Sequence, residues 1–129
     1  MSGEDARTPD IRALSLASAA GRMAIGIGLL AAPELSLRAL GFSDVSPSTV
    51  AIARIAGIRD FVLGGVTLAS LDDRERLRTA TVANATADAG DTMAFAFATR
   101  SGETSAGLRG MAAAIPATLA GIWVARRLS

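Results

Sequence analysis

Residues 54–65 read RIAGIRDFVLGG. Arg54, Arg59 and Asp60 sit among Ile55, Ile58, Phe61, Val62 and Leu63, and the run stays apolar to Leu71. A soluble amphipathic helix collects its charges on one wet face. A membrane-spanning helix carries charges only where other groups answer them. Which of the two holds decides the fold.

The stretch belongs to the second of four apolar segments. The first runs over about 13–32 and stops at Pro33-Glu34. The second covers about 50–71, after the turn FSDVSPST, where Ser46 or Ser48 offers a cap and Pro47 a first helical residue. The third covers about 77–99, after the connector DDRER, which reads as a solvated turn. The fourth covers about 108–125 and ends at Arg126-Arg127. Crossing the hydrocarbon core takes about 20 helical residues. None of the four is free of charge over that length. The longest uncharged stretch is GMAAAIPATLAGIWVA, 16 residues from Gly110 to Ala125.

The competing reading is a water-soluble bundle of four amphipathic helices. It lacks polar faces to work with. Between Ala13 and Ala32 the only charge is Arg22, and Ser15 and Ser18 are the only other polar side chains. Beyond Arg109, the fourth segment has Thr118 alone. The expectation is therefore an all-α fold: a four-transmembrane-helix antiparallel bundle, one domain over residues 1–129, multi-pass in a bacterial cytoplasmic membrane. Arg7, Arg12, Arg74, Arg76, Arg78, Arg126 and Arg127 fall on one side, against Arg38, Arg100 and Arg109 on the other. The positive-inside bias then places both termini in the cytoplasm. Trp123 falls near the inner end of the last helix, and Pro116 implies a kink there.

Composition narrows the chemistry. The 129 residues are 50% hydrophobic and 19% charged, with a mean hydropathy of +0.40. All 13 basic residues are arginine and the net charge is +1, which argues against nucleic acid as a partner. Cysteine and histidine are absent, so disulfides, thiolate chemistry and the usual zinc sites are excluded. No cofactor, metal or catalytic residue is expected.

The ionisable groups inside the four segments are Arg22, Arg54, Arg59, Asp60, Asp88 and Asp91. An unpaired charge at mid-bilayer costs about 2.5–3.5 kcal/mol on insertion scales. Three cations and three anions can neutralise one another. With about 1.5 Å of rise per residue, most of them fall in one layer near mid-membrane. The first expected pairing is Arg22 or Arg59 with Asp88; the second is Arg54 with Asp91. Thr81, Asn84, Asp88 and Asp91 share a helical stripe, and so do Ser15, Ser18, Arg22 and Gly26. Arg59 and Asp60 lie about 100° apart on a helix, so one of them points toward a neighbouring helix or subunit. Gly21, Gly28, Gly57, Gly64 and Gly65 are the expected sites of close helix approach.

The segment Arg54-Ile55-Ala56-Gly57-Ile58-Arg59-Asp60 with Gly64-Gly65, the connector Asp72-Asp73-Arg74, the Asp88…Asp91 helix, and Gly21-Arg22 with Pro33 together resemble a family of small four-helix bacterial membrane proteins, DoxX-like in plan. The resemblance covers most of the chain and implies a fold and a membrane address, with no catalytic residue carried over. Some DoxX relatives are associated with quinone-linked oxidation; this chain has none of the cysteines and histidines that chemistry would use.

Two functions follow. In the first, Arg22, Arg54, Arg59, Asp60, Asn84, Asp88 and Asp91 form a buried polar network that locks a scaffold or accessory subunit, in a homo-oligomer or a larger membrane complex. In the second, the same residues line a polar pocket between the first three long helices. That pocket would take a small anion, a lipid or quinone headgroup, or a proton. Asp88 and Asp91 could also act as an acid–base pair, or hold a cation with Asn84; ion pairing with the arginines competes with both.

Overall fold

Helix α1 (Ile11–Ala31) begins where the Asp10 carboxylate accepts the Arg12 amide at 2.9 Å, in a computed structural model that describes residues 10–129. Such a cap satisfies one of the amides a helix start leaves unpaired. The expected stop at Pro33 is also a start. Pro33 is the first residue of a short helix, α2 (Pro33–Ala39), at a position where its missing N–H costs nothing. Glu34 in its first turn and Arg38 in its last complement the helix dipole. Seven residues make no apolar run long enough to register as a segment.

Gly41, at φ 94°, turns the chain toward α3 (Pro47–Ala69). The Ser46 hydroxyl, not Ser48, caps that helix by accepting the Thr49 amide at 3.2 Å. Asp73 caps α4 (Arg74–Arg100) through the Arg76 amide at 3.0 Å. Most of DDRER is therefore the cap and first turn of a helix rather than a solvated turn. Gly102, at φ 103°, leads into α5 (Thr104–Arg127), which runs through Pro116. Hydropathy marks only the apolar part of each helix, whereas caps mark its ends, so the helices start two to four residues before the apolar segments.

The fold is all-helical among the described residues. At about 1.5 Å per residue, the four long helices measure about 32–40 Å. Two of them, α1 and α5, are long and apolar enough to cross a membrane, with mean hydropathies of 1.5 and 1.4. Of the other two, α3 carries Arg54, Arg59 and Asp60 within its length, and α4 opens on a charged first turn.

The helices pack as two close antiparallel pairs, α1 with α3 and α4 with α5; α3 touches α4 over a smaller area. Glycine makes the first pair close. A Cβ on Gly26 would lie 2.6 Å from the Gly57 carbonyl oxygen, and one on Gly64 would lie 2.7 Å from that of Ala19. Gly107, Gly110 and Gly121 do the same for α5 on α4. The expected contacts at Gly57 and Gly64 are present. Gly21 and Gly65 instead face open space, and Gly28 meets only Ser36.

Apolar clusters close the two ends. Leu29, Leu37 and Ala53 form one with Phe42 and Val45. Leu77, Val124 and Leu128 form the other, with Ile11, Leu71 and Trp123 against it. The second cluster puts the start of α1 and the end of α5 at the same end of the bundle. Arg12, Arg74, Arg126 and Arg127 gather there, with Arg127 stacked 5.3 Å above the Trp123 ring. Arg7 lies outside the described residues.

Candidate functional site

Between the two end clusters lies a polar layer. The buried residues of α1 are Ser15, Ala19, Arg22, Gly26 and Leu29, and those of α3 are Ala53, Gly57, Asp60, Gly64 and Thr67. Both sets step alternately by four and three, the spacing of a single helix face. That face brings Arg22 to Asp60. On α4, Asn84 and Asp88 fall on the buried stripe, and Asp91 sits half-buried one turn on.

The charges form a continuous alternating chain, Asp88–Arg22–Asp60–Arg59–Asp91. Arg22 donates to Asp88 and, at 3.1 Å, to Asp60. Arg59 donates to Asp60 at 3.1 Å and to both oxygens of Asp91 at 2.8 and 2.7 Å. Arg22 also reaches the Asn84 carbonyl at 3.3 Å. The side chains of Arg22, Asp60 and Asp88 are only 9–11% exposed, so water screens these pairs little. The chain links three helices and crosses from one helix pair to the other.

Of the two partners offered for Asp88, Arg22 is the one that contacts it. Asp91 pairs with Arg59, not Arg54. Arg54 is exposed, two turns from the start of α3, and makes no ion pair among the described residues. It lies off the Ala53–Gly57–Asp60 face that meets α1. Arg59 lies off that face too, but its long side chain curls back to Asp60 and across to Asp91. Adjacent residues 100° apart thus serve one network.

Thr67 is a member that the sequence reading passed over. It is 1% exposed, and its hydroxyl accepts a hydrogen bond from the Asn84 side-chain amide at 2.9 Å while donating to Leu63. Its signal was present: Thr67 stands seven residues after Asp60, two turns along the same face. Two buried atoms have no hydrogen-bond partner among the described residues, Ser15 Oγ and Asn84 Oδ1.

Both of those residues line a cavity of about 800 Å³ between the two helix pairs. Small-molecule sites commonly span about 300–1,000 Å³. Its lining carries Arg22, Arg59, Asp60, Asp88 and Asp91; the rest is mostly apolar, alanines interspersed with larger side chains such as Leu29, Phe95 and Trp123. Alanine leaves the space open. Helices α1 and α5 both line the cavity without packing closely on each other, and their lining residues Ser18, Gly21, Ala113 and Ala117 are exposed. The gap between α1 and α5 is thus an open side of the cavity. No group of three or more potential metal ligands converges among the described residues.

Comparison with protein-family models, curated proteins and solved structures gives no match to this chain.

Proposed function

We propose that this chain is a multi-pass protein of the cytoplasmic membrane, with four long helices crossing the bilayer and both termini inside. Its central cavity holds a small amphiphilic ligand against the Asp88–Arg22–Asp60 contacts. The observation that carries the membrane address is the inversion of the usual burial pattern. Among the described residues nineteen large apolar side chains are well exposed, including Ile52, Ile55, Ile58, Val62, Phe97 and Leu119. The buried positions hold Arg22, Asp60, Asp88, Thr67 and many small residues. Leaving one large apolar side chain in water forgoes about 1.5–3 kcal/mol. Each of the nineteen is 39–71% exposed, so each loss is a fraction of that figure, but the sum is large beside a stability of about 5–15 kcal/mol. In lipid these losses vanish. The apolar windows of α1 and α5 are only 28% and 17% buried, unlike core helices of a soluble protein.

A second reading has its own support. The ion-pair chain spans the seam between two helix pairs that otherwise touch lightly, so it also serves as a lock, as a scaffold or accessory subunit would need. The DoxX-like plan rests on the GIRD segment and its surroundings and fits either reading.

Water access separates the readings. Ser18 lines the cavity, while Leu16, two residues away, faces outward. The chain has no cysteine of its own. In membranes, Ser18→Cys is expected to react with a small water-borne thiol reagent and Leu16→Cys to resist it. Reaction at neither site would favour a dry lock. Equal reaction at both would place α1 in water and contradict the membrane address.

A further inference from the structure

We infer that the cavity selects a lipophilic organic cation, such as a protonated amine on a compact apolar body, that enters from the bilayer between α1 and α5. This rests on the cavity reading above and assigns the chemistry of its occupant.

Three observations point the same way. The first is charge. The charged residues lining the cavity are two arginines and three aspartates. The alternating chain begins and ends on a carboxylate, so one negative charge is left over. A small anion, one of the occupants expected from sequence, would meet arginines that already serve two carboxylates each.

The second is hydrogen bonding. Every bond to Asp60 ends on Oδ1, and so does every bond to Asp88, so Oδ2 of each accepts nothing from the described residues. Asn84 Oδ1 and Ser15 Oγ are unpartnered as well, but fully buried among the surrounding side chains. A carboxylate oxygen without a donor is costly away from water, and the two free Oδ2 atoms belong to carboxylates that share Arg22. An ammonium supplies up to three donors and the missing positive charge.

The third is the remainder of the cavity. Its remaining lining is mostly apolar, with alanines, larger apolar side chains and the hydroxyls of Ser18, Thr49, Thr67 and Thr81. The small residues along its α1–α5 opening make an entrance that faces the outward apolar surface of the bundle. A charged head with an apolar body fits both parts.

The test uses the purified chain in lipid nanodiscs at neutral pH. Three probes share one apolar cage: aminoadamantane, hydroxyadamantane and adamantane carboxylate. Equilibrium binding is expected to favour the amine over the alcohol by about tenfold or more, and the carboxylate least. Asp60→Asn leaves the lining neutral and should abolish the preference. Ala117→Phe, which leaves the ion pairs intact, should block amine and alcohol alike. If the alcohol binds as well as the amine, the charge inference is wrong while the cavity reading stands; the surplus carboxylate is then held as an acid by a bound proton. If none of the three binds, the cavity reading falls with it. If amine binding survives Ala117→Phe unchanged, the amine sits elsewhere and the inference is overturned.

Discussion

Arg59 on α3 grips Asp91 on α4 with two parallel hydrogen bonds of 2.8 and 2.7 Å, one to each carboxylate oxygen. This fork joins two helix pairs that elsewhere meet over little area. Only a guanidinium makes it, since a lysine ammonium cannot present two donors in a plane. Arg59→Lys should therefore weaken the link although charge is kept. Both side chains are partly exposed, at 37% and 29%, which tempers the effect. A double-mutant cycle of Arg59→Lys with Asp91→Asn, read by thermal unfolding in detergent, should give a coupling of about 1 kcal/mol.

Arg22 is the more deeply held cation, and it answers two carboxylates. Arg22→Leu leaves Asp60 short of one partner and Asp88 with none, at a cost of about 3–5 kcal/mol for breaking a buried pair. Asp88→Asn should relieve part of that loss when combined with it. The same Asp88→Asn should couple more weakly to Arg59→Lys, because Arg59 reaches Asp88 only through Asp60 and Arg22. Additivity with Arg22→Leu would show that the Arg22–Asp88 contact carries no energy.

Arg54 makes the opposite forecast. It is exposed near the start of α3 and outside the ion-pair chain. A long cationic side chain there can extend to the membrane surface. Arg54→Leu should shift stability by no more than about 0.5 kcal/mol. A loss as large as that of Arg22→Leu would mean that Arg54 has a partner in the bundle.

Close approach of α1 and α3 depends on Gly26, Gly57 and Gly64. A Cβ at Gly26 or Gly57 would lie 2.6 or 2.9 Å from backbone oxygen of the facing helix. Gly26→Ala should force the helices apart and cost about 1–3 kcal/mol. Gly21→Ala and Gly65→Ala, which meet open space, should be neutral or slightly stabilising. Unfolding of all three variants side by side checks the contrast.

Much of this was legible in the residues. Four apolar segments gave four long helices, because run length and the scarcity of polar faces are local properties. The membership of Arg22 and Asp88 in one network followed from depth and facing, and that of Asp60 from depth. What failed was what depends on helix rotation and side-chain reach. Arg54 was paired with Asp91 from depth alone, whereas the buried face of α3 runs through Ala53, Gly57 and Asp60 and leaves Arg54 outside. Arg59 joined the network by bending back toward it, which a wheel diagram does not represent. Thr67 hid as one hydroxyl in an apolar run. The cavity had no sequence signature, because it arises from how far apart two helix pairs stand.

The membrane address underlies every other claim, and alkaline carbonate extraction of cell membranes tests it most directly. The protein is expected to stay in the pellet and to come into solution only with detergent, as a chain with its large apolar side chains outward and its charges inward must. Release by carbonate, or recovery as a soluble protein, would contradict the account. The exposed Ile52–Val62 face of α3 would then need a protein partner to cover it, in place of lipid.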